Sequence, residues 1–345
     1  MLRILIFFFP LLAVASPTAH TFSSTAVSIF NRYESLNINT HWHHEIIEAV
    51  GTDEVSAEIL KKRGVEQKYL DHMALEYVKL KDNLFFAVIF PPGSTQPEEA
   101  RAILNKAGTV VYEKDIVLTQ NGMKNFLRAV YDVHHCDGWR EVNSGIYSRF
   151  KHLLNGENQT LHIILFECDS LKHSNDSKRI VRRTYDNNNE ICHFTDFLEE
   201  TRHIAHILMS QPTIDFLNTA HPKNYDNFVA YAKTTKAYAD KCPTFKDAYC
   251  ADTGAVLAAY GIRRPGDFDI IIHGKCSLPI KDLGINNHTR TKYGTNCDDI
   301  IYNPTKHFYY KGVRFVALNE VRNFKSSKNN EKDRRDILLI DKFIR

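Results

Sequence analysis

Two aspartates near the C-terminus of this 345-residue chain are spaced for metal chemistry. Asp267 and Asp269 flank Phe268, and three isoleucines, 270–272, follow them. This pattern predicts a buried strand that begins at the aspartates. Because residues i and i+2 of a strand point to the same face, both carboxylates can hold one divalent cation while Phe268 packs on the other face. Oxygen ligands suit Mg²⁺ or Mn²⁺, and Mg²⁺ keeps other coordination positions for water and substrate phosphates.

The segment before this strand could bind a phosphorylated ligand. Thr253 and Gly254 open a predicted helix that runs through Tyr260. Free N–H groups at a helix start can hold a phosphate, so Thr253 and Gly254 are candidates for binding a donor. Arg263 and Arg264 follow in a turn, where they would offset phosphate charge. Two arginines in a turn are also an ordinary surface feature.

This order of helix, turn and Asp-x-Asp strand resembles the nucleotidyltransferase superfamily, which has the polymerase-beta-like fold. In that superfamily a Gly-Ser or similar pair precedes the metal-binding strand by roughly a dozen residues, and here Gly254 precedes Asp267 by 13 positions. The sequence at this position is Thr-Gly instead of Gly-Ser. The resemblance implies a third acid, on a neighbouring strand, that activates the acceptor hydroxyl. Asp299 in CDDIIYNP is the candidate, so Asp267, Asp269 and Asp299 are the implied catalytic and metal-binding residues.

The C-terminal segment extends the resemblance, which covers about residues 220–345. Some superfamily members close with a lysine-rich loop and a Lys-Asp-x-x-Asp helix, and residues 319–343 are similar. Lys325 and Lys332 are therefore implied in donor binding, with Asp333 and Asp336 in the helix. The stretch GAVLAAYGIRRPGDFDI also looks faintly like the fukutin and LicD branch, which transfers sugar-alcohol or choline phosphates from nucleotide-activated donors.

A histidine in the middle of the chain is a second candidate for phosphate chemistry. His193 lies in ICHFTDFLEETRHIAHIL, at the start of a predicted helix. This text resembles the segment of nucleoside diphosphate kinases in which the phosphorylated histidine precedes Gly-Ser-Asp and a helix. The resemblance covers about residues 83–212 and makes His193 a candidate phosphohistidine. It also places Arg182 where these kinases have a phosphate-binding arginine.

Two residues depart from the kinase pattern. Phe90 stands where the kinase lysine would neutralise transferred phosphate, and Glu190 stands where the kinase has an asparagine. Phosphoryl transfer depends almost wholly on positioning and electrostatics, so these changes predict a kinase-like fold without kinase activity. The alternative for His193 is a histidine at a helix start with a satisfied hydrogen bond.

The candidate residues require two folded units, which agrees with the chain length. Strands and helices alternate between 84 and 209 in the order expected of a ferredoxin-like sheet. We therefore expect an α+β protein, with a ferredoxin-like, kinase-like domain followed by a nucleotidyltransferase-fold mixed-sheet domain. The expected divisions are a signal peptide (1–15), a helical extension (16–82), the kinase-like domain (83–212) and the nucleotidyltransferase-like domain (213–345).

The N-terminus predicts the secretory pathway. Arg3 is followed by an apolar run of about a dozen residues and a small-residue cleavage triplet, which is typical of a signal peptide. A retained signal anchor is the alternative. Glycosylation sequons begin at Asn158, Asn175 and Asn287, and N-glycosylation occurs on secreted proteins. Seven cysteines in an oxidising lumen predict one or two bridges between residues 242 and 297, and the odd number leaves at least one free thiol or an intermolecular link.

The charge balance limits the class of partner. The chain carries 44 Lys and Arg against 41 Asp and Glu, so it is not expected to bind nucleic acid by its overall charge. We expect a luminal or secreted phosphorus-group transferase that uses Mg²⁺ or Mn²⁺ and a nucleotide donor. Its acceptor would be a glycan or protein hydroxyl, and no membrane span is expected after signal cleavage. The alternative is a catalytically inactive secreted protein that binds a nucleotide or phosphoglycan.

Overall fold

A computed structural model describes residues 24–36, 56, 58, 66–131, 148, 150–154, 157–186, 189–273, 285–287, 297–328 and 330–344. The predicted signal peptide and most of the predicted N-terminal extension lie outside these residues. Within the extension, helices α1 (Ser24–Ser35) and α2 (Gln67–Leu80) are described and pack against each other. None of the helices in the described ranges combines the length and hydrophobicity that crossing a membrane requires.

The first half of the chain forms a four-stranded antiparallel sheet with the strand order β2-β3-β1-β4. Strand β3 lies between β1 and β2, and β1 lies between β3 and β4, so the connections from β1 to β2 and from β3 to β4 each span one strand. The elements are β1 (Leu84–Ile89), α3 (Pro97–Ala107), β2 (Gly108–Leu118), α4 (Gln120–Tyr131), β3 (Gln159–Cys168), α5 (Leu171–Thr184), β4 (Cys192–Phe194), α6 (Leu198–Leu208) and α7 (Gln211–Thr219).

Strand β1 is buried along its whole length because both faces of this sheet are covered. Phe86 and Val88 belong to the large core that also contains residues of α2, α4 and α6. Ala87 and Ile89 point to the other face and pack with residues of α3 and α5. Alternate residues of a strand point to opposite faces, so a continuous apolar run is required here.

The second half forms a five-stranded mixed sheet with the order β7-β6-β5-β9-β8. Strand β5 pairs antiparallel with β6 and parallel with β9. The elements are α8 (Asp226–Lys241), α9 (Pro243–Lys246), β5 (Tyr249–Asp252), α10 (Gly254–Ala259), β6 (Phe268–Ile272), β7 (Ile285–Asn287), α11 (Cys297–Tyr302), β8 (His307–Tyr310), β9 (Val313–Val316), α12 (Leu318–Ser326) and α13 (Glu331–Ile344). The predicted α+β class is confirmed.

A buried polar cluster lies between α6 and the β8–β9 hairpin. The ring centroids of His206 and Tyr309 are 4.3 Å apart. Arg314 is buried and donates hydrogen bonds to the backbone carbonyls of Asp247 (2.8 Å) and Ile301 (3.0 Å). The same apolar core continues from the first sheet to the second, so the polar cluster lies within one shared interior.

Candidate functional site

The carboxylates of the second sheet gather where β5 ends and β6 begins. Asp252 and Asp269 are opposite each other in the antiparallel register of these two strands, and both are buried. The hydroxyl of Thr253 donates a hydrogen bond to Asp269 Oδ2 (2.7 Å), and its backbone N–H donates to Asp252 Oδ1 (2.5 Å). Thr253 has a φ of +41°, a conformation that non-glycine residues rarely adopt. Two acids are thus fixed on either side of the residue that precedes α10.

Asp267 lies against the first residue of α10. A β-carbon placed on Gly254 would be 3.6 Å from Asp267 Oδ1 and 3.9 Å from Arg263 Nη2. Asp267 is half-buried, whereas Asp269 is buried. The structure therefore brings together five of the residues chosen from the sequence: Thr253, Gly254, Arg263, Asp267 and Asp269.

Arg263 connects this cluster to the C-terminal helix. Its Nε donates to Asp336 Oδ1 (2.6 Å) and its Nη2 donates to Asp336 Oδ2 (2.8 Å). Lys325 Nζ lies 2.8 Å from the same Oδ2 and 2.5 Å from Asp333 Oδ1. Although burial disfavours the charged carboxylate, the hydrogen bonds from Arg263 and Lys325 hold the pKa of Asp336 below its ordinary value.

The two predicted donor-binding lysines differ in their surroundings. Lys325 is 3% exposed, so the carboxylates of Asp333 and Asp336 balance its charge inside the protein. Lys332 is exposed on the surface of α13. The geometry makes Lys325 a residue that positions α13 and leaves Lys332 open to solvent.

Asp299 does not lie on a strand, and that part of the expectation was wrong. It occupies the first turn of helix α11, where acidic side chains favour the positive end of the helix dipole. Its carboxylate forms an ion pair with Lys306 and accepts a hydrogen bond from Asn303 Nδ2 (3.1 Å). Across the described residues, no three His, Cys, Asp or Glu side chains are placed closely enough to share one metal ion.

Asp252 was missed by the sequence interpretation. It is fully buried at the end of the short apolar strand β5, immediately before the helix start at Thr253. In the sequence, Asp252 could have been recognised as a candidate site residue because it is ionisable and lies between an apolar strand and a helix. Its position opposite Asp269 depends on the pairing of β5 with β6, which the local pattern does not reveal.

His193 is held by a glutamate that the sequence interpretation also missed. His193 Nε2 lies 3.0 Å from Glu200 Oε1, and Glu200 Oε2 accepts a hydrogen bond from the backbone N–H of Asp196 (2.6 Å). Glu200 is fully buried, and His193 is 6% exposed and packs edge-on against the ring of Tyr131. His193 lies on strand β4 and not at a helix start, but it has the hydrogen-bonding partner that the alternative to a phosphorylated role predicted.

Other residues around His193 do not form a phosphate site. Phe90 is fully buried, with its ring centroid 5.6 Å from that of Phe150. Arg182 interacts with Cys192. Burial raises the pKa of the Cys192 thiol, although the guanidinium of Arg182 acts in the opposite direction. Because Cys192 and His193 are successive strand residues, Arg182 lies on the opposite face of the sheet from His193.

The predicted glycosylation sites lie in different environments. Asn158 is exposed just before β3. Asn175 is half-buried within α5, and the hydroxyl of its sequon residue Ser177 is buried and donates to the carbonyl of His173 (2.9 Å). Asn287 is the last residue of β7. The described cysteines have free thiols, namely Cys168, Cys192, Cys242, Cys250 and Cys297.

Comparisons with known proteins identify no relative of this chain. No protein-family model, no curated protein and no solved structure matches it. The chemistry of the site therefore has to be argued from its own geometry.

Proposed function

We propose that this protein is a secretory-pathway transferase of the nucleotidyltransferase type, which moves a nucleotidyl or phosphate-linked group onto a hydroxyl acceptor with the help of Mg²⁺. The observation that carries the proposal is the placement of Asp267 and Asp269 beside Gly254 and Thr253, at the point where β6 begins and α10 starts. Acids fixed beside a basic turn suit a metal and a phosphate together.

The finer description of the fold is part of this proposal. The strand order β2-β3-β1-β4 supports a ferredoxin-like plan for the first unit. The mixed sheet of the second unit, with an Asp-x-Asp strand next to a helix start, supports a nucleotidyltransferase-like plan. Fold alone does not establish activity, so the proposed activity rests on the residues of the site.

The residues present fit Mg²⁺ or Mn²⁺. Mg²⁺ is usually bound through one or two carboxylates plus substrate phosphates, and Asp267 and Asp269 offer that number of hard oxygen ligands. When bound, the ion would neutralise charge on the donor phosphates and orient the reacting group. Thr253 fixes the orientation of Asp269 through its 2.7 Å hydrogen bond.

The remaining residues would position the donor and the acceptor. Arg263 is held in place by Asp336, and its Nη2 lies close to the start of α10, where it would offset phosphate charge. Asp299 is the proposed base for the acceptor hydroxyl. Because Asp299 forms an ion pair with Lys306, it would have to exchange that contact in order to take a proton.

Ligand-dependent thermal stability tests the donor site. A ligand that binds only the folded protein raises its melting temperature. We expect a nucleotide or nucleotide-sugar to do so more strongly with Mg²⁺ or Mn²⁺ than without. Asp267→Asn should remove the metal-dependent part of the shift, whereas Asp226→Asn, on the surface of α8, should keep it.

A transfer assay separates the enzyme from the alternative of an inactive binding protein. With the donor found above, the double variant Asp267→Asn, Asp269→Asn should lose transfer to a hydroxyl acceptor by at least about 100-fold. Metal-dependent donor binding without turnover would support a nucleotide or phosphoglycan binding protein. Transfer that survives the double variant would exclude the proposed site.

A further inference from the structure

A cavity lies away from the aspartate cluster. It has a volume of about 640 Å³ and is lined by the start of α2, by one side of α7 from its first to its last residue, by the start of α12 and by the end of α13. Tyr260, just after the end of α10, forms part of its wall. Since an α-helix rises about 1.5 Å per residue, the six residues of α10 separate this wall from Gly254 by about 9 Å. The cavity is therefore distinct from the site of the proposed transfer.

The wall of the cavity combines aromatic rings with small polar groups. Tyr260 and Phe343 line it and pack at 90° to each other, with ring centroids 5.8 Å apart. Gln211, Thr219 and Asn319 line it too and are exposed, so their amide and hydroxyl groups are accessible. Such a wall offers apolar faces together with groups that both donate and accept hydrogen bonds.

Asp215 gives the cavity a carboxylate on a side chain that is exposed to solvent, although neighbouring atoms partly surround it. Burial raises the pKa of Asp215, even though Gln211 Nε2 donates a hydrogen bond to its Oδ1 (2.8 Å). Tyr260 lines the same cavity, and burial together with the charge of Asp215 raises the pKa of Tyr260. An accessible carboxylate accepts hydrogen bonds from donors such as ligand hydroxyls.

The charges of the wall restrict the ligand. Among the described lining residues, Glu66 is paired with Lys68 (2.8 Å) and Asp71 with Lys114 (2.7 Å). Asp215 is the lining carboxylate that has no cationic partner among the described residues, so it disfavours an anion. A purely apolar ligand would leave the polar wall groups without partners, which is costly. A ligand with many hydroxyls and an apolar C–H face satisfies both parts of the wall.

From this combination we propose that the cavity binds a neutral oligosaccharide. The volume lies in the range of small-molecule sites, and the hydroxyls of a sugar would meet Asp215, Gln211 and Asn319 while its C–H face packs on Phe343 or Tyr260. This assignment does not depend on the aspartate cluster being catalytic.

Calorimetric titration of the full chain tests the proposal. The probes are three neutral sugars (chitotriose, mannotriose and lactose), the anionic sugar sialyllactose and the cation spermidine. We expect at least one neutral sugar to bind saturably below about 10 mM. Sialyllactose should bind more weakly than lactose, because its carboxylate would meet Asp215, the lining carboxylate that no described cation pairs with. Absence of saturable binding by every neutral sugar would overturn the proposal.

Variants locate the binding. Gln211→Ala and Asn319→Ala should each weaken sugar binding about five- to tenfold, as expected for one lost hydrogen bond. Asn227→Ala, at an exposed position on α8, is the matched control and should bind as the unaltered protein does. Sugar binding that is unaffected by both lining variants would place the sugar elsewhere and overturn the proposal.

Two further variants distinguish a sugar site from a cation site and from the aspartate cluster. Asp215→Asn should keep neutral sugar binding within about threefold, because an amide still forms hydrogen bonds. Spermidine binding that is lost in Asp215→Asn, without binding of any neutral sugar, would make the cavity a cation site instead. Asp267→Asn should leave sugar binding unchanged, so failure of the transferase proposal would not affect this result.

Discussion

Arg263 and Asp336 are joined by two parallel hydrogen bonds, of 2.6 and 2.8 Å, that link the turn before β6 to the C-terminal helix. Asp336 also contacts Lys325, so one carboxylate holds cations from two different segments. Such a pair fixes geometry as well as charge, because the guanidinium and the carboxylate are both planar. The position of α13 is therefore coupled to the Asp-x-Asp strand.

Replacement of Arg263 tests this link. Lysine keeps the charge but cannot form the two parallel bonds, so Arg263→Lys should lower the free energy of unfolding by about 1–3 kcal/mol. The neighbouring Arg264 is exposed, and Arg264→Lys should change stability by less than about 0.5 kcal/mol. Urea denaturation measures both. Equal effects of the two substitutions would show that the pair contributes nothing specific.

Two glycines in the α10–β6 region should respond oppositely to alanine. Gly261 has a φ of +76°, and a β-carbon there would lie 1.9 Å from the backbone oxygen of His221. Gly261→Ala should therefore destabilise the protein by more than about 3 kcal/mol. Nothing lies within 4 Å of a β-carbon on Gly266, so Gly266→Ala should leave stability unchanged or raise it by up to about 1 kcal/mol. Thermal unfolding of the two variants side by side measures the difference.

Buried histidines should make stability fall at acidic pH. Burial lowers the pKa of His72 to about 4. Burial also lowers the pKa of three other histidines, His203, His206 and His307. The charges of Lys79 and Arg314 lower the pKa of His206 and His307 further. These groups are neutral when folded but bind protons below their ordinary pKa of 6.5 when unfolded. The contribution of these histidines to the free energy of unfolding should therefore be fully present above about pH 6.5 and should decrease as the pH falls below that value.

The size of this effect can be measured by urea unfolding at several pH values. The lowered pKa of His72 alone should reduce the free energy of unfolding by about 3 kcal/mol once the pH is well below 4, because one pKa unit corresponds to about 1.4 kcal/mol. His162 has the opposite effect. Although burial lowers its pKa, hydrogen bonds to Asp115 and Glu113 raise it above the ordinary value. The stabilisation that His162 gives is therefore present at low pH and is lost as the pH rises through its pKa in the folded protein. His72→Leu should flatten the dependence, whereas His173→Leu, at an exposed position, should not. A protein that is equally stable at about pH 5 and pH 7 would contradict this account.

His193 should not become phosphorylated. It is bound to Glu200 and is 6% exposed, and Phe90 takes the place of the kinase lysine. Incubation with labelled ATP and Mg²⁺ should therefore give no acid-labile label, while a nucleoside diphosphate kinase in the same assay should be labelled. Label that is present in the unaltered protein and absent from His193→Asn would establish phosphohistidine chemistry instead.

The three glycosylation sequons should not be used equally. If the protein is expressed through the secretory pathway, Asn158→Gln should lower its mass by one glycan, since Asn158 is exposed. Asn175→Gln should cause no change, because Asn175 lies in helix α5 and the Ser177 hydroxyl is buried. Mass spectrometry before and after removal of N-glycans measures both. A glycan on Asn175 would mean that modification precedes folding of α5.

The features that the sequence predicted are those with a local pattern. The apolar run 84–90 contains β1, and the order of strands and helices predicted the α+β class. The helix start at Gly254 and the strand that begins beside Asp267 were also expected, because each depends on a few neighbouring residues. The periodicity of apolar residues within a short segment is sufficient to predict such elements.

Other features depend on contacts between distant segments, and these were missed. Asp299 precedes two isoleucines, a pattern that fits a short strand as well as the helix whose first turn Asp299 occupies. The role of Asp252 requires the register of β5 with β6, and that of Glu200 requires the contact with His193. Arg182 matched a kinase motif in sequence, but the alternation of β4 places it on the other face of the sheet.

The arrangement of the second sheet also constrains how the chain can fold during synthesis. Strand β5 has β6 on one side and β9 (Val313–Val316) on the other, and β9 follows in the chain only after β6, β7, α11 and β8. Until β9 leaves the ribosome, one edge of the buried strand β5 has unpaired backbone groups, which favour association with other chains. The second half should therefore complete its folding only after β9 has been made, and its yield should depend on chaperones during that interval.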